Sequence, residues 1–223
     1  MTKGQREMKL YGYWRSSAAY RVRIALNLKG VSAEQLSVHL VRDGGEQHKA
    51  DYIALNPQEL VPTLVVDDEQ DGDALSQSLA IIEYLDELYP KTPLLPASAL
   101  ERAHVRAMAL TIACEIHPLN NLRVLQYLTQ KLNVDEEAKT AWYHHWVATG
   151  FAALETQLAR HSGRYCFGDK VTIADLCLVP QVYNAQRFNV DLTPYPNIMR
   201  VWAECNLLPA FADAAPERQA DAV

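Results

Sequence analysis

Arg15-Ser16-Ser17-Ala18-Ala19-Tyr20-Arg21-Val22-Arg23-Ile24-Ala25-Leu26 follows directly on the apolar run Met8-Lys9-Leu10-Tyr11-Gly12-Tyr13-Trp14, and this hand-over decides the fold. A short strand gives way to a helix, with two hydroxyls at the junction. A helix start presents unpaired backbone N–H groups and a partial positive charge. A serine there can cap the helix, or it can hold an anion such as a thiolate or a phosphate. The stretch itself leaves both readings open.

Working outward, residues 8–14 read as a strand and Ser17–Lys29 as a helix closed by Gly30. Residues 34–41 alternate Leu36, Val38 and Leu40 against polar neighbours, the pattern of a second strand. Asp43-Gly44-Gly45 opens a polar loop. Val61-Pro62-Thr63-Leu64-Val65-Val66 is an apolar strand, followed by an Asp- and Gly-rich turn at 67–73 and a short strand at Ala74-Leu75. A helix is expected over 77–89, with Leu79, Ile82, Leu85 and Leu88 on one face. The order β-α-β, then β-β-α, marks a small α/β domain over residues 1–90. Pro90, Pro93 and Pro96 place a linker at 91–97. From 98 to 223 the pattern is helical, with long segments expected at 99–130, 135–160, 172–188 and 196–205. The fold class is therefore α/β plus all-α. Thr172-Ile173-Ala174-Asp175 is a capping box, a folding signal and not a catalytic one.

Composition narrows the function classes. The 223 residues are 49% hydrophobic and 22% charged, as in a globular protein, and the formal charge of −6 argues against nucleic acid, which needs a basic face. No apolar run has the length of a membrane span. The opening residues MTKGQRE contain no apolar stretch, so no secretory signal is expected. Cys114, Cys166, Cys177 and Cys205 show neither CxxC pairing nor zinc-ligand spacing; they suit a reducing cytoplasm and read as small buried apolar residues. His144 and His145, adjacent on a helix, would point in different directions, and no metal site is indicated.

Three further motifs can carry chemistry. In Val61-Pro62-Thr63 a proline begins a strand, which suits an edge or a turn, or a cis proline with the Val61 backbone turned outward to an extended ligand. Gln77-Ser78 starts a helix and could cap it or bind a ligand carboxylate. Ile116-His117-Pro118-Leu119-Asn120-Asn121-Leu122-Arg123 interrupts a long helix with proline, leaving a polar cluster that is either functional or a solvated kink.

With these segments in view, the chain resembles the zeta class of glutathione transferases. The resemblance spans residues 8 to about 216. It rests on RSSAAYRVRIALNLKG, DGGEQ, ALNPQELVPTL, QSLAIIEYL, IHPLNNLRVL, FGDKVTIADLCLVPQV and RFNVDLTPYPNI. It implies a thioredoxin-like domain that binds glutathione as cofactor, a helical domain that shapes the pocket for the electrophile, and a homodimer in the cytoplasm. By position, Ser16 and Ser17 would lie beside the glutathione sulfur as the catalytic pair, with Ser17 favoured as nearer the helix start. Val61, ahead of Pro62, would pair with the cysteinyl backbone. Gln77 and Ser78 would hold the γ-glutamyl carboxylate and Gln47 the glycyl end. His117 and Asn121 would approach from the helical half. The family usually has cysteine where this chain has Ala18, which excludes any mechanism requiring an enzyme thiol there.

The resemblance also implies the reaction: cis-to-trans isomerisation of a maleyl keto acid, maleylacetoacetate or maleylpyruvate, by reversible thiolate addition to the alkene. Conjugation of α-halo acids is the alternative. A free thiol titrates near pKa ~8.5, and each unit by which the site lowers it is worth about 1.4 kcal/mol. The substrate of the isomerisation is a dicarboxylate, so cations should grip it. Arg15, Arg123 and Arg187 are the candidates, because guanidinium presents a planar fork to carboxylate. Arg21 and Arg23, inside the first helix, read as structural or dimer-interface residues.

Overall fold

The computed structural model describes residues 7–66 and 73–222; the polar start at 1–6 and all of the expected 67–73 turn except Asp73 lie outside the described residues. The chain divides into two compact units, Met1–Pro93 with Pro209–Val223, and Leu94–Leu208.

In the first unit a four-stranded sheet of order β2-β1-β3-β4 is built from β1 (Met8–Gly12), β2 (Glu34–Ser37), β3 (Thr63–Val66) and β4 (Asp73–Ser76). β2 runs parallel to β1, while β3 is antiparallel to both β1 and β4. The β1–β2 pair is parallel, so it needs a crossover, and α1 (Ser17–Lys29) supplies it. Ser16 caps α1: its hydroxyl accepts the Ala19 amide at 3.2 Å. Gly30, in the left-handed region at φ 64°, closes the helix, and the Val31 amide reaches back to the Leu26 carbonyl at 3.0 Å. α1 is buried almost all round, Arg21 and Arg23 included. α2 (Ala50–Leu55) and α3 (Ser78–Leu88) complete the α/β part.

Four sequence expectations change here. β1 stops at Gly12 and β2 at Ser37, short of Trp14 and Val41. The short helix α2 was not foreseen. The tail does not belong with the helical half: α9 (Pro209–Ala212) and the residues after it pack on α1. Tyr20 donates to the Phe211 carbonyl, Arg23 to the Ala214 carbonyl, and Asp221 accepts from the Trp14 amide and the Ser37 hydroxyl. Nor is 91–97 a free linker. Leu94 and Leu95 are buried, and the Leu94 carbonyl accepts the Ile173 amide at 3.0 Å.

The second unit holds α4 (Ala99–Leu110), α5 (Leu122–Gln130), α6 (Glu136–His161), α7 (Ile173–Arg187) and α8 (Pro196–Asn206). The long helical segment expected at 99–130 is broken at the Pro118 motif that signalled an interruption. After α4 come one π turn (Thr111–Ile116) and one 3-10 turn (Pro118–Asn120). Pro118 has no N–H to continue the ladder, and its ring would clash with the carbonyl four residues back. The kink is pinned by α6. Trp142 Nε1 donates to the Leu119 carbonyl at 2.9 Å, and Asn120 Nδ2 to the Tyr143 carbonyl at 3.1 Å. The capping box of α7 is formed: the Asp175 carboxylate takes the Thr172 amide and hydroxyl and the Cys166 amide. Burial pushes that carboxyl upward in pKa while the two amides pull it back. Cys166, Cys177 and Cys205 are buried as expected, whereas Cys114, on the π turn, is exposed. His144 and His145 do diverge: one meets the Phe188 carbonyl and the other lies edge-on to Trp146.

Gly150 of α6 lies hard against this kink, where an added Cβ would sit 2.2 Å from Ile116 Cγ1. Helix propensity alone would favour Gly150→Ala by about 1 kcal/mol. Overpacking a buried isoleucine costs about 1–3 kcal/mol, and the nearness of the contact puts it at the upper end. Gly150→Ala is expected to destabilise the protein by about 1–2 kcal/mol in denaturant unfolding; an unchanged or raised midpoint would show that Ile116 yields freely.

Candidate active site

Strand register gathers the first unit's candidate residues. Gly12 pairs with Ser37, Tyr11 with Thr63, and Thr63 with Ser76. The segments leading to Ser16-Ser17 and to Gln47, the Val61-Pro62 pair that enters β3, and the Gln77-Ser78 pair that leaves β4 therefore all emerge from one end of the sheet.

Ser16, the cap, is half-buried, and Ser17, the first helical residue, is buried. A hydroxyl carries one proton and two acceptor sites. In accepting the Ala19 amide, Ser16 keeps its proton to donate outward. Ser16 is thus the more exposed of the two serines, whereas the sequence reading had favoured Ser17.

The Val61-Pro62 peptide is cis, and Val61 stands outside the ladder, which begins at Thr63. Its loop is organised by two side chains the sequence reading passed over. Asn56 Oδ1 accepts the Gln58 amide, and its Nδ2 donates to the Leu60 carbonyl and Thr63 hydroxyl. The Tyr52 hydroxyl donates to the same Leu60 carbonyl at 2.6 Å. An Asn-Pro pair such as Asn56-Pro57 is an ordinary turn signal and does not by itself announce this hub.

Gln77 caps α3 with φ 68°, an uncommon conformation for a residue with a side chain, and donates through Nε2 to Gln58 Oε1 at 2.8 Å. Ser78 is buried, and its hydroxyl accepts Arg21 Nη1 at 3.2 Å. Gln47 is buried on the neighbouring loop. Its Nε2 lies 2.9 Å from His48 Nε2, and the other ring nitrogen of His48 meets the Glu59 carboxylate. An amide nitrogen can only donate, so His48 Nε2 accepts and its Nδ1 carries the proton towards Glu59. Gln47 Oε1 is buried without a hydrogen-bond partner among the described residues, an acceptor left for a ligand N–H.

In the second unit, the π turn and kink carry His117 and Asn121. His117 is half-buried at the end of the π turn, and Asn121 caps α5, accepting the Arg123 amide at 3.2 Å. Arg123 is exposed in the first turn of α5, where the helix dipole disfavours a cation. Arg187 ends α7, exposed, with its guanidinium 4.7 Å from the Phe188 ring centre. Phe188 stacks on Tyr143 at 4.0 Å. Burial drives the Tyr143 phenol strongly upward in pKa, and the nearby Arg187 charge opposes that. In the first unit Arg15, exposed just before the cap of α1, lies 4.1 Å over Trp14.

The electrostatics of the helix starts agree with anionic ligands. α2, α4, α6 and α7 each carry an acidic residue in the first turn, and α8, which has none, receives the Glu155 carboxylate on its first amides. α1, α3 and α5, which carry the candidate residues, have none, and arginines stand beside two of them. Ligand carboxylates and a thiolate would supply the negative charge the sequence omits there. Among the described residues no group of three or more metal-ligating side chains occurs, and no helix is long and apolar enough to cross a membrane.

Comparison with known proteins fits this arrangement. Residues 10–93 match the glutathione S-transferase N-terminal domain and residues 120–213 the glutathione S-transferase C-terminal domain. A probable maleylacetoacetate isomerase of Vibrio cholerae is 56% identical over 96% of this chain and 97% of its own length. The holo structure of a maleylpyruvate isomerase, described as a bacterial glutathione S-transferase of the zeta class, aligns with a TM-score of 0.90 at 51% identity, over 96% of this chain and all of that one. The maleylacetoacetate isomerase of Anaeromyxobacter dehalogenans, solved with GSH bound in its active site, aligns with a TM-score of 0.87 at 42% identity, over 98% of this chain and 100% of that one. The chain belongs to the zeta class of the glutathione S-transferase family.

Proposed function

We propose that this protein is a glutathione-dependent cis–trans isomerase that converts maleylacetoacetate to its fumaryl isomer. The reading is carried by one observation: a proton-donating hydroxyl at a helix start, a strand-entry backbone outside its ladder, and a second helix start all leave the same end of one sheet. The near full-length similarity to proteins of that activity supports it.

Glutathione fits the residues present. Gln47 Oε1 is a buried acceptor without a partner among the described residues, and the starts of α1 and α3 lack acidic side chains. When bound, it supplies the thiolate that adds reversibly to the alkene. The chain's own residues hold and polarise. Ser16 donates to the sulfur and, with the start of α1, keeps it ionised. Val61 offers backbone N–H and C=O to an extended peptide. Gln77 and Ser78 take the γ-glutamyl carboxylate, and Gln47 takes the glycyl end. Arg15, Arg123 and Arg187 bind substrate carboxylates, and a guanidinium also stabilises the enolate charge that develops on the carbonyl side. His117 and Asn121 contribute polar contacts from the kink. Ala18 cannot act as a nucleophile, so Ser16 and Ser17 are the local support for the thiolate. Residues 1–90 form the glutathione-binding domain in this reading, the protein acts as a homodimer, and its cysteines suit the cytoplasm.

Maleylpyruvate is the second reading, favoured by the 51% identity to the zeta-class isomerase of that substrate. The two substrates share the maleyl end and differ only remote from the alkene. Each should be offered to the purified protein with glutathione well below substrate concentration. Many turnovers per glutathione, with the tripeptide recovered intact, are expected for maleylacetoacetate, and the ratio of kcat/KM ranks the two substrates. Loss of one glutathione per turnover would mark a conjugating transferase, and equal rates without glutathione would refute the reading.

A further inference from the structure

α1 carries two buried arginines in opposite circumstances. Arg23 is what a structural arginine looks like: Nε donates to the Ala214 carbonyl and Nη2 to the Trp14 carbonyl, each at 3.0 Å. Arg21, two residues earlier and only 2% exposed, donates Nη1 to the Ser78 hydroxyl at 3.2 Å, while its Nε and Nη2 have no hydrogen-bond partner among the described residues. A guanidinium stays charged, and a buried charge without a counter-ion is costly. Helix packing alone gives no reason to prefer it to methionine or leucine.

The one acceptor Arg21 finds among the described residues is the first residue of α3. By filling a lone pair of the Ser78 hydroxyl from behind, it obliges the single hydroxyl proton to point elsewhere, so Ser78 is set as a donor. Around that donor the start of α3 has neither an acidic residue in its first turn nor a side-chain cap. A buried cation, an oriented hydroxyl and a helix start thus stack in series, and among the described residues no hydrogen bond or ion pair to an anionic side chain completes them.

We propose that Arg21 is a positioning residue for the anion held at the start of α3: it orients Ser78 and is the buried counter-charge of a ligand carboxylate. This rests on the glutathione reading, under which the carboxylate is that of the γ-glutamyl group. Arg21 does not touch the reacting atoms. It acts through Ser78 and through the field at the helix start.

The test pairs protein and ligand changes. Affinities of the wild type, Arg21→Lys and Arg21→Met are measured calorimetrically for glutathione and for 4-aminobutanoyl-cysteinyl-glycine, which lacks only the γ-glutamyl α-carboxylate. The wild type is expected to lose at least about 10-fold in affinity when the carboxylate is removed, as for a lost charge-assisted hydrogen bond. Arg21→Met should lose most of that discrimination, and Arg21→Lys should keep most of it. A merely structural role would lower stability and leave the ratio unchanged, and a folded Arg21→Met with the wild-type ratio overturns the proposal. A second measurement uses the wild-type fold: the side-chain Nε–H resonance of Arg21, assigned by its absence in Arg21→Lys, should shift with glutathione and not with the analogue. Equal shifts overturn the proposal as well. If the wild type binds neither ligand, the glutathione reading itself fails and takes this inference with it; if it binds both equally, only the role of Arg21 is lost.

Discussion

Replacing Ser16 by alanine should lower turnover at neutral pH by about 10–100-fold, the equivalent of a hydrogen bond to a charged group worth about 1.5–3 kcal/mol. The same substitution removes the cap of α1 and so costs about 1 kcal/mol of stability, which leaves the protein folded. The two losses separate by pH. Without the hydroxyl the bound thiol ionises one to two units higher, since each unit corresponds to about 1.4 kcal/mol. The acid limb of the rate profile therefore moves to higher pH, and the deficit shrinks in alkali, where the thiol ionises unaided. Ser17→Ala should do less, because Ser17 is buried within the first turn. A deficit of equal size at every pH would mean that Ser16 is only a cap.

Arg187→Ala should raise KM for the dicarboxylate by about 10–100-fold and leave kcat within about 3-fold, the signature of binding lost equally from ground and transition states. Arg187 is exposed, and its guanidinium lies over Phe188, so few native contacts are lost with it. A cation at the end of α7 contributes about 0.5 kcal/mol through the helix dipole, too little to confuse the reading. Arg187→Lys should recover part of the loss, keeping charge but not the planar fork. Should kcat fall while KM holds, Arg187 would be stabilising the enolate and not gripping the substrate.

Local signals were read well from sequence, and long-range ones were not. The bounds of α1 follow from a serine cap and a glycine in the left-handed region, and the start of α7 from its capping box; each needs only neighbouring residues. Pro118 announced an interruption, but whether a kinked helix or two helices with a π turn would result depends on Trp142, Asn120 and Gly150. The docking of the tail on α1 rests on contacts such as Tyr20 with the Phe211 carbonyl, 191 residues apart in sequence, and no periodicity reports them. α2 is six residues long and carries no distinctive pattern.

The site divides in the same way. Ser16, Val61-Pro62, Gln77-Ser78 and Gln47 stand in motifs and were all singled out, and the sheet register brings their segments to one end. Ranking Ser16 against Ser17 needed the cap hydrogen bond. Arg21 and Arg23 are the same residue type two positions apart on one helix. Only the partners of each, carbonyls in one case and the Ser78 hydroxyl in the other, tell a structural arginine from one facing a ligand site. The support given to Gln47 by His48 and Glu59, and to Gln77 by Gln58, was likewise hidden, since the 56–62 loop meets both only in the fold.

The central claim is that the start of α1 keeps a borrowed sulfur ionised, and the ultraviolet absorbance of the thiolate reports this directly. Titrated on the wild-type complex, the glutathione thiol should ionise at least one unit below the free-thiol value of about 8.5, with most of that shift gone in Ser16→Ala. A wild-type complex whose sulfur titrates at the free value would contradict the account.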